Sequence, residues 1–162
     1  MSSKNVQNTH ISGQLRLLHM AVLDIVAVMN RPQGDEALIK EAGIALDRAL
    51  FPLLVLVERY GPVGVVDLAG RVGRDYTTVS RQVAKLESLG LVRRQESAGD
   101  RRVREAAITT KGKAMTARLD AARERIARTA FHDWDSKEFD ELVRLMRKFA
   151  DAVMKEPKAG SS

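Results

Sequence analysis

The stretch from Val65 to Thr109, VVDLAGRVGRDYTTVSRQVAKLESLGLVRRQESAGDRRVREAAIT, decides the fold. Its opening, Val65 to Val72, sets Val65, Leu68, Ala69 and Val72 on one face at steps of three and four, the pattern of a short helix buried on one side. Gly73 closes that helix. Asp75 follows as an N-cap, its carboxylate able to accept from the free N–H groups of the next first turn. The helix it opens runs from Tyr76 to Leu89, turns Val79, Val83 and Leu86 inward, and ends at Gly90, where a left-handed C-cap belongs. Leu91 to Gln95 reads as a strand, Ser97-Ala98-Gly99-Asp100 as a turn, and Val103 to Thr109 as the returning strand. Helix, tight turn, helix, hairpin is the order of a winged helix-turn-helix.

That order carries a physical expectation. The major groove of duplex DNA, about 12 Å wide, admits one helix, braced by a shorter one before it. The entering helix must be apolar inside and short, polar or cationic outside. Tyr76, Thr77, Thr78, Ser80, Arg81 and Lys85 fill the outer and N-terminal positions here. Small hydroxyls allow close approach of the backbone, Arg81 suits a guanine edge, and Lys85, one turn on, suits a phosphate. The hairpin tip, Gly99-Asp100-Arg101-Arg102, adds two guanidinium groups for a narrow minor groove. Asp100 is expected to pair with the Arg102 guanidinium and fix its direction. Taken singly, each of these residues also suits an ordinary solvated surface.

Charge supports the polyanion reading. The chain has a formal net charge of +6 over 162 residues. From Gly61 to Lys113 it carries eleven Lys and Arg against six Asp and Glu, so about a third of the chain holds nearly all the surplus. A basic segment inside an otherwise balanced chain is the footprint of a polyanion partner, and charge alone fits a solvated, Arg-rich surface equally well.

Outward from this core the sequence reads as helices. Upstream, Ile11 to Met29 is apolar around so much of its circumference that burial on several sides, against a partner subunit, is expected. Arg31-Pro32-Gln33-Gly34 ends it, Glu36 to Ala42 allows a further turn or two, and a helix after Asp47, starting as late as Leu50, runs to Tyr60 before Gly61-Pro62. Downstream, Thr109 or Thr110 caps a long helix to about Phe131, with Arg118, Arg123, Arg125 and Arg128 balanced by Asp120 and Glu124 as helical ion pairs. Asp135 and Glu138 form a capping box for a last helix, in which Phe139, Leu142, Met146, Phe149 and Val153 make a narrow packing seam. The fold class is therefore mainly α with a small β-hairpin wing. The domain plan is an N-terminal dimerisation helix and linker over 1–45, the winged helix-turn-helix over 46–110, C-terminal dimerisation helices over 111–156, and a disordered tail over 157–162.

Val65-Val66-Asp67-Leu68-Ala69, Thr78-Val79-Ser80-Arg81, Leu86 to Arg93, Asp100-Arg101-Arg102 and Ile108-Thr109-Thr110-Lys111-Gly112 together resemble the MarR family of bacterial regulators, over about Leu46 to Lys113. The resemblance implies a homodimer whose N- and C-terminal helices intertwine. It implies two winged lobes on a near-palindromic operator in double-stranded DNA, with Tyr76 to Leu89 as recognition helix and Arg102 as wing arginine. It also implies repression relieved by a small lipophilic or phenolic effector. A winged-helix module that docks protein instead of DNA is the alternative, but has little need of a basic excess on both helix and wing.

Several classes are excluded or disfavoured. With no cysteine, the chain has no disulfide, no thiolate metal site and no thiol redox sensor. His10, His19 and His132 lack ligand spacing, and Phe131 and Trp134 suit packing better than a cofactor box, so no cofactor or metal is expected. No Gly-rich phosphate loop or nucleophile elbow appears, which argues against an enzyme. Met1 to Asn8 lacks the order of a signal peptide, and the longest unbroken apolar run, Ala49 to Val57, falls well short of a membrane span of roughly 18 residues. A cytoplasmic protein without a membrane partner is the expectation.

Overall fold

The computed structural model describes residues 3–155, with side chains from residue 8; the tail expected over 157–162 lies outside them. Seven helices and three strands follow in the order α1 (Ser3–Met29), α2 (Pro32–Ala42), α3 (Phe51–Tyr60), β1 (Val63–Gly64), α4 (Val65–Val72), α5 (Tyr76–Ser88), β2 (Val92–Glu96), β3 (Arg104–Ile108), α6 (Thr110–Ala130) and α7 (Ser136–Met154). This is the expected fold class, mainly helical with a winged helix-turn-helix.

The core of the winged region follows from the apolar spacing. Leu53, Leu54 and Val57 of α3, Leu68 of α4, and Val79, Val83 and Leu86 of α5 are all buried, with Leu91, Val92 and Ala106 closing the sheet side. Each apolar stripe is narrow, so the three helices must share one interior. Gly73 supplies the left-handed turn (φ 64°) that lets α5 leave α4 sharply. A smaller second cluster joins Leu38 and Ala42 of α2, Phe51 of α3, and Leu119 and Ala122 of α6.

The sheet is antiparallel in the order β1-β3-β2, with Val92 opposite Ile108 and Glu96 opposite Arg104. The two-residue β1 was not anticipated. It exists only by pairing Val63 with Ala106 and Gly64 with Glu105, too short a run to show alternation. The start of α6 lies tightly under this sheet. A Cβ on Gly112 would stand 2.1 Å from the Leu91 carbonyl oxygen and 2.7 Å from Ile108 Cδ1, so only glycine permits the approach. Thr109 caps that helix, its Oγ1 accepting from the Gly112 N–H at 3.0 Å.

Most element ends fall within a residue of expectation, but two helices start several residues early. α2 begins at Pro32, earlier than Glu36, because a proline that stops one helix is equally suited to the first turn of the next. α1 starts well before Ile11. Its apolar side chains are exposed along nearly the whole length, with only Val22 half-buried. The helix over Asn8–Met29 is also long and apolar enough to cross a membrane by length and composition. No unbroken apolar run of that length stands in the sequence, because Arg16, His19 and Asp24 interrupt it.

The chain divides into two compact units, residues 1–123 and 124–162, the boundary falling inside α6. In the second, Phe131 meets Trp134 and Phe139 edge-on, each with ring centroids 5.2 Å apart, so these aromatics do pack on one another. Asp135 and Glu138 form the full capping box of α7. Phe139, Met146 and Val153 of the predicted seam are exposed, and Leu142 and Phe149 are half-buried.

Candidate nucleic-acid interface

The interface is built on α5, and its cap comes first. The Asp75 carboxylate accepts from the Thr78 N–H at 2.9 Å and from the Thr78 hydroxyl at 2.6 Å. Those two hydrogen bonds hold its carboxyl below the usual carboxylate value. Thr78 is thus half-buried and spends its hydroxyl on the cap, which narrows the role expected of it at DNA.

With Val79, Val83 and Leu86 inward, the helical period turns Thr77, Arg81, Ala84, Lys85 and Ser88 outward, and all five are exposed. Arg81 and Lys85 therefore sit one turn apart on the solvent face, as their spacing predicted. Ser80 lies on the flank toward the hairpin. It is half-buried, and its carbonyl oxygen accepts from Arg94 Nη2 at 3.3 Å. Tyr76 is exposed at the mouth of a cavity of about 330 Å³ between the start of α5 and the wing, walled also by Val65, Arg94, Arg102 and Arg104. Three of the lining residues are arginines, which makes the concavity electropositive.

Arg94, on β2, ties wing to helix. Besides the Ser80 carbonyl it has Glu87 at 4.0 Å, and its Nε is buried without a hydrogen-bond partner among the described residues. Lys111, at the start of α6, donates to the Leu89 carbonyl at 2.9 Å, answering the negative end of α5.

At the tip, Asp100, Arg101 and Arg102 are all exposed. Asp100 does not make the expected bond to the Arg102 guanidinium. Its Oδ1 accepts instead from the Arg102 backbone N–H at 3.0 Å, while the Val103 N–H donates to the Asp100 carbonyl oxygen at 3.0 Å. The reason is reach: a carboxylate two residues before an N–H in a tight turn meets the backbone before it meets a long side chain. Asp100 shapes the loop and leaves the Arg102 guanidinium free to extend.

Of the residues that sequence spacing singled out, the structure sets Arg81 and Lys85 together beside Ala49 and Leu50, and Tyr76 with Arg102 on the wing side. Sequence spacing missed Arg94, Lys111 and Arg74, whose partners lie on other elements. Arg74 occupies the turn between α4 and α5 and reaches both α5 and the residues just before α3. No local pattern signals such contacts.

A short brace helix, an outward-facing cationic helix and an arginine-tipped hairpin on one three-stranded sheet define a winged helix-turn-helix protein. Comparison with known proteins narrows the class. The profile described as MarR family matches residues 46–103. The chain is 32% identical over 106 residues to the uncharacterized HTH-type transcriptional regulator YxaD of Bacillus subtilis (strain 168), covering 64% of this chain and 74% of that one. Among solved structures, a MarR family protein from Bacillus stearothermophilus superposes with a TM-score of 0.65 at 17% identity, over 96% of this chain and 99% of that one. The transcriptional regulator BldR from Sulfolobus solfataricus superposes with a TM-score of 0.63 at 23% identity, over 86% and 96%. The chain belongs to the MarR family of transcriptional regulators.

Proposed function

We propose that the chain is a homodimeric repressor that binds a near-palindromic operator in double-stranded DNA. In this reading α5 enters the major groove, the wing reaches the flanking minor groove, and the protein works in the cytoplasm where its operator lies. The observation that carries the reading is the coincidence of two cationic elements on one scaffold. Arg81 and Lys85 face outward from α5, and Arg101 and Arg102 stand at the hairpin tip, with the electropositive cavity between helix and wing. A protein-docking module gains nothing from that arrangement.

Roles follow the geometry. Arg81 and Thr77 lie at the outermost positions of α5 and are assigned to base edges. Lys85 and Arg101 are assigned to phosphates, and Arg102 to the minor groove. Tyr76, Thr78, Ser80 and Asp100 set the surface: Tyr76 walls the cavity, Thr78 completes the cap, Ser80 lends its carbonyl to Arg94, and Asp100 shapes the turn.

Dimerisation is supported by apolar surface that one chain leaves uncovered. On α1, Leu15, Leu17, Leu18, Met20 and Leu23 are exposed, and on α7 so are Val143, Leu145, Met146 and Val153. Rows of that length on a monomer are costly in water. The segments 1–45 and 111–156 are assigned to the dimer interface, and 46–110 to DNA. Release by a small lipophilic or phenolic ligand completes the proposal.

Selection of bound duplexes from a random-sequence library tests it. Enrichment of a two-fold-related motif, with half-sites about one helical turn (10 base pairs) apart, is expected. Retention without any enriched sequence would overturn it.

A further inference from the structure

The recognition helix is held on both flanks, and the two holds differ in kind. On the wing side Arg94 takes the Ser80 carbonyl. On the opposite side Arg74, half-buried in the turn before α5, donates from Nη1 to the Ala49 carbonyl oxygen at 2.8 Å and to Gln82 Oε1 at 2.9 Å. Ala49 lies just before α3, 25 residues from Arg74 in the chain, so one guanidinium joins three separate segments. Neither acceptor is charged. The pairing therefore has no ion-pair rationale and acts by geometry.

That geometry bears on reading DNA. A helix with its side chains is about 5–6 Å in radius, so a roll of only about 20° moves an outward tip by about 2 Å. Hydrogen bonds to base edges tolerate far less than that. Arg81 and Lys85 stand on the face between the two holds, where any roll is felt in full. The contact also settles the chemistry of Gln82. Arginine carries only donors, so the Gln82 atom facing Arg74 must be its carbonyl oxygen, which fixes the way round that the amide lies.

Resting on the DNA-binding reading above, we infer that Arg74 is a positioning residue for base recognition: it fixes the roll of α5 against the start of α3 and the orientation of the Gln82 amide. Arg74 itself touches no DNA.

Full-length wild type, Arg74→Ala and Arg74→Lys are titrated against the duplex selected by the wild type and against an unrelated duplex, over a series of salt concentrations. Arg74→Ala is expected to lose about tenfold on the selected duplex, the scale of one lost base contact, and less than about threefold on the unrelated one, with the salt slope unchanged. Arg74→Lys, which keeps the charge but loses the planar fork, is expected to fall between the two and decides the matter if the alanine variant does not fold. Reselection with the folded variant should relax base preference at the positions that α5 faces. A merely destabilised protein loses active fraction, which shifts both titrations equally and leaves their ratio at the wild-type value. An unchanged ratio, or a salt slope reduced by about one, overturns the inference. A wild type without sequence preference would instead overturn the DNA-binding reading on which it rests.

Discussion

Arg81 and Arg102 are chemically alike, but the proposed DNA complex assigns them different ways of reading the duplex. Arg81 stands on the outward face of a rigid helix, so its fork can be aimed at one base pair. Arg81→Ala is expected to cost about 1–3 kcal/mol on the selected duplex and to relax preference at one position per half-site. Arg102 sits on a loop tip, suited to sensing groove width, so Arg102→Ala should weaken binding chiefly where the flanks are rich in A·T. Competition titrations with flank-swapped duplexes separate the two. For Asp100 the structure separates the effect of the charge from that of the acceptor oxygen. A guanidinium partner would make the charge essential, whereas the observed bond to the Arg102 N–H needs only an oxygen. Asp100→Asn keeps an acceptor and removes a charge that opposes DNA, so it should bind as tightly as wild type or tighter. Asp100→Ala loses the acceptor and should bind more weakly. Weaker binding by Asp100→Asn in a mobility-shift titration would restore the guanidinium pairing.

At the scale of elements, legibility followed locality. α4, its glycine stop, the Asp75 cap, the inward stripe of α5 and the capping box of α7 each depend on residues within a few positions of one another, and each stood in the sequence. What was not legible depends on distant partners. β1 exists because of Ala106, Gly112 is required by the Leu91 carbonyl, and Arg74 and Arg94 are defined by backbone oxygens on other elements. The Asp100 misreading belongs with these, since a charge pair was inferred where turn geometry decided. The Asp75 cap has a consequence that acid can reveal. Its folded pKa lies below the unfolded value, so its stabilisation is whole above the ordinary aspartate pKa of about 3.9 and is lost as pH falls through the lower folded value. Asp75→Asn keeps a capping oxygen that does not titrate. Thermal melts across acidic pH should show a smaller acid-induced fall in Tm for that variant than for wild type, and an equal fall would mean the cap contributes nothing to the acid limb.

For the whole molecule, the exposed apolar surfaces of α1 and α7 and the basic surface of the winged region call for different partners. The sequence showed the breadth of the α1 surface but not what covers it, because a helix apolar on all sides reads alike whether a second chain or a bilayer surrounds it. Charge and fold family favour the second chain. Sedimentation at micromolar concentration in detergent-free buffer is expected to give about twice the chain mass of 17.9 kDa, and a clean monomer would remove the paired half-site arrangement. The account as a whole stands on the claim that the cationic helix and wing are a DNA surface. Equilibrium titration of the selected duplex at a series of salt concentrations tests that claim most directly. If each dimer neutralises about 6–10 phosphates, affinity should fall by about 10³–10⁵ between about 50 and 200 mM salt. An affinity almost independent of salt, or no binding to any duplex, would contradict it.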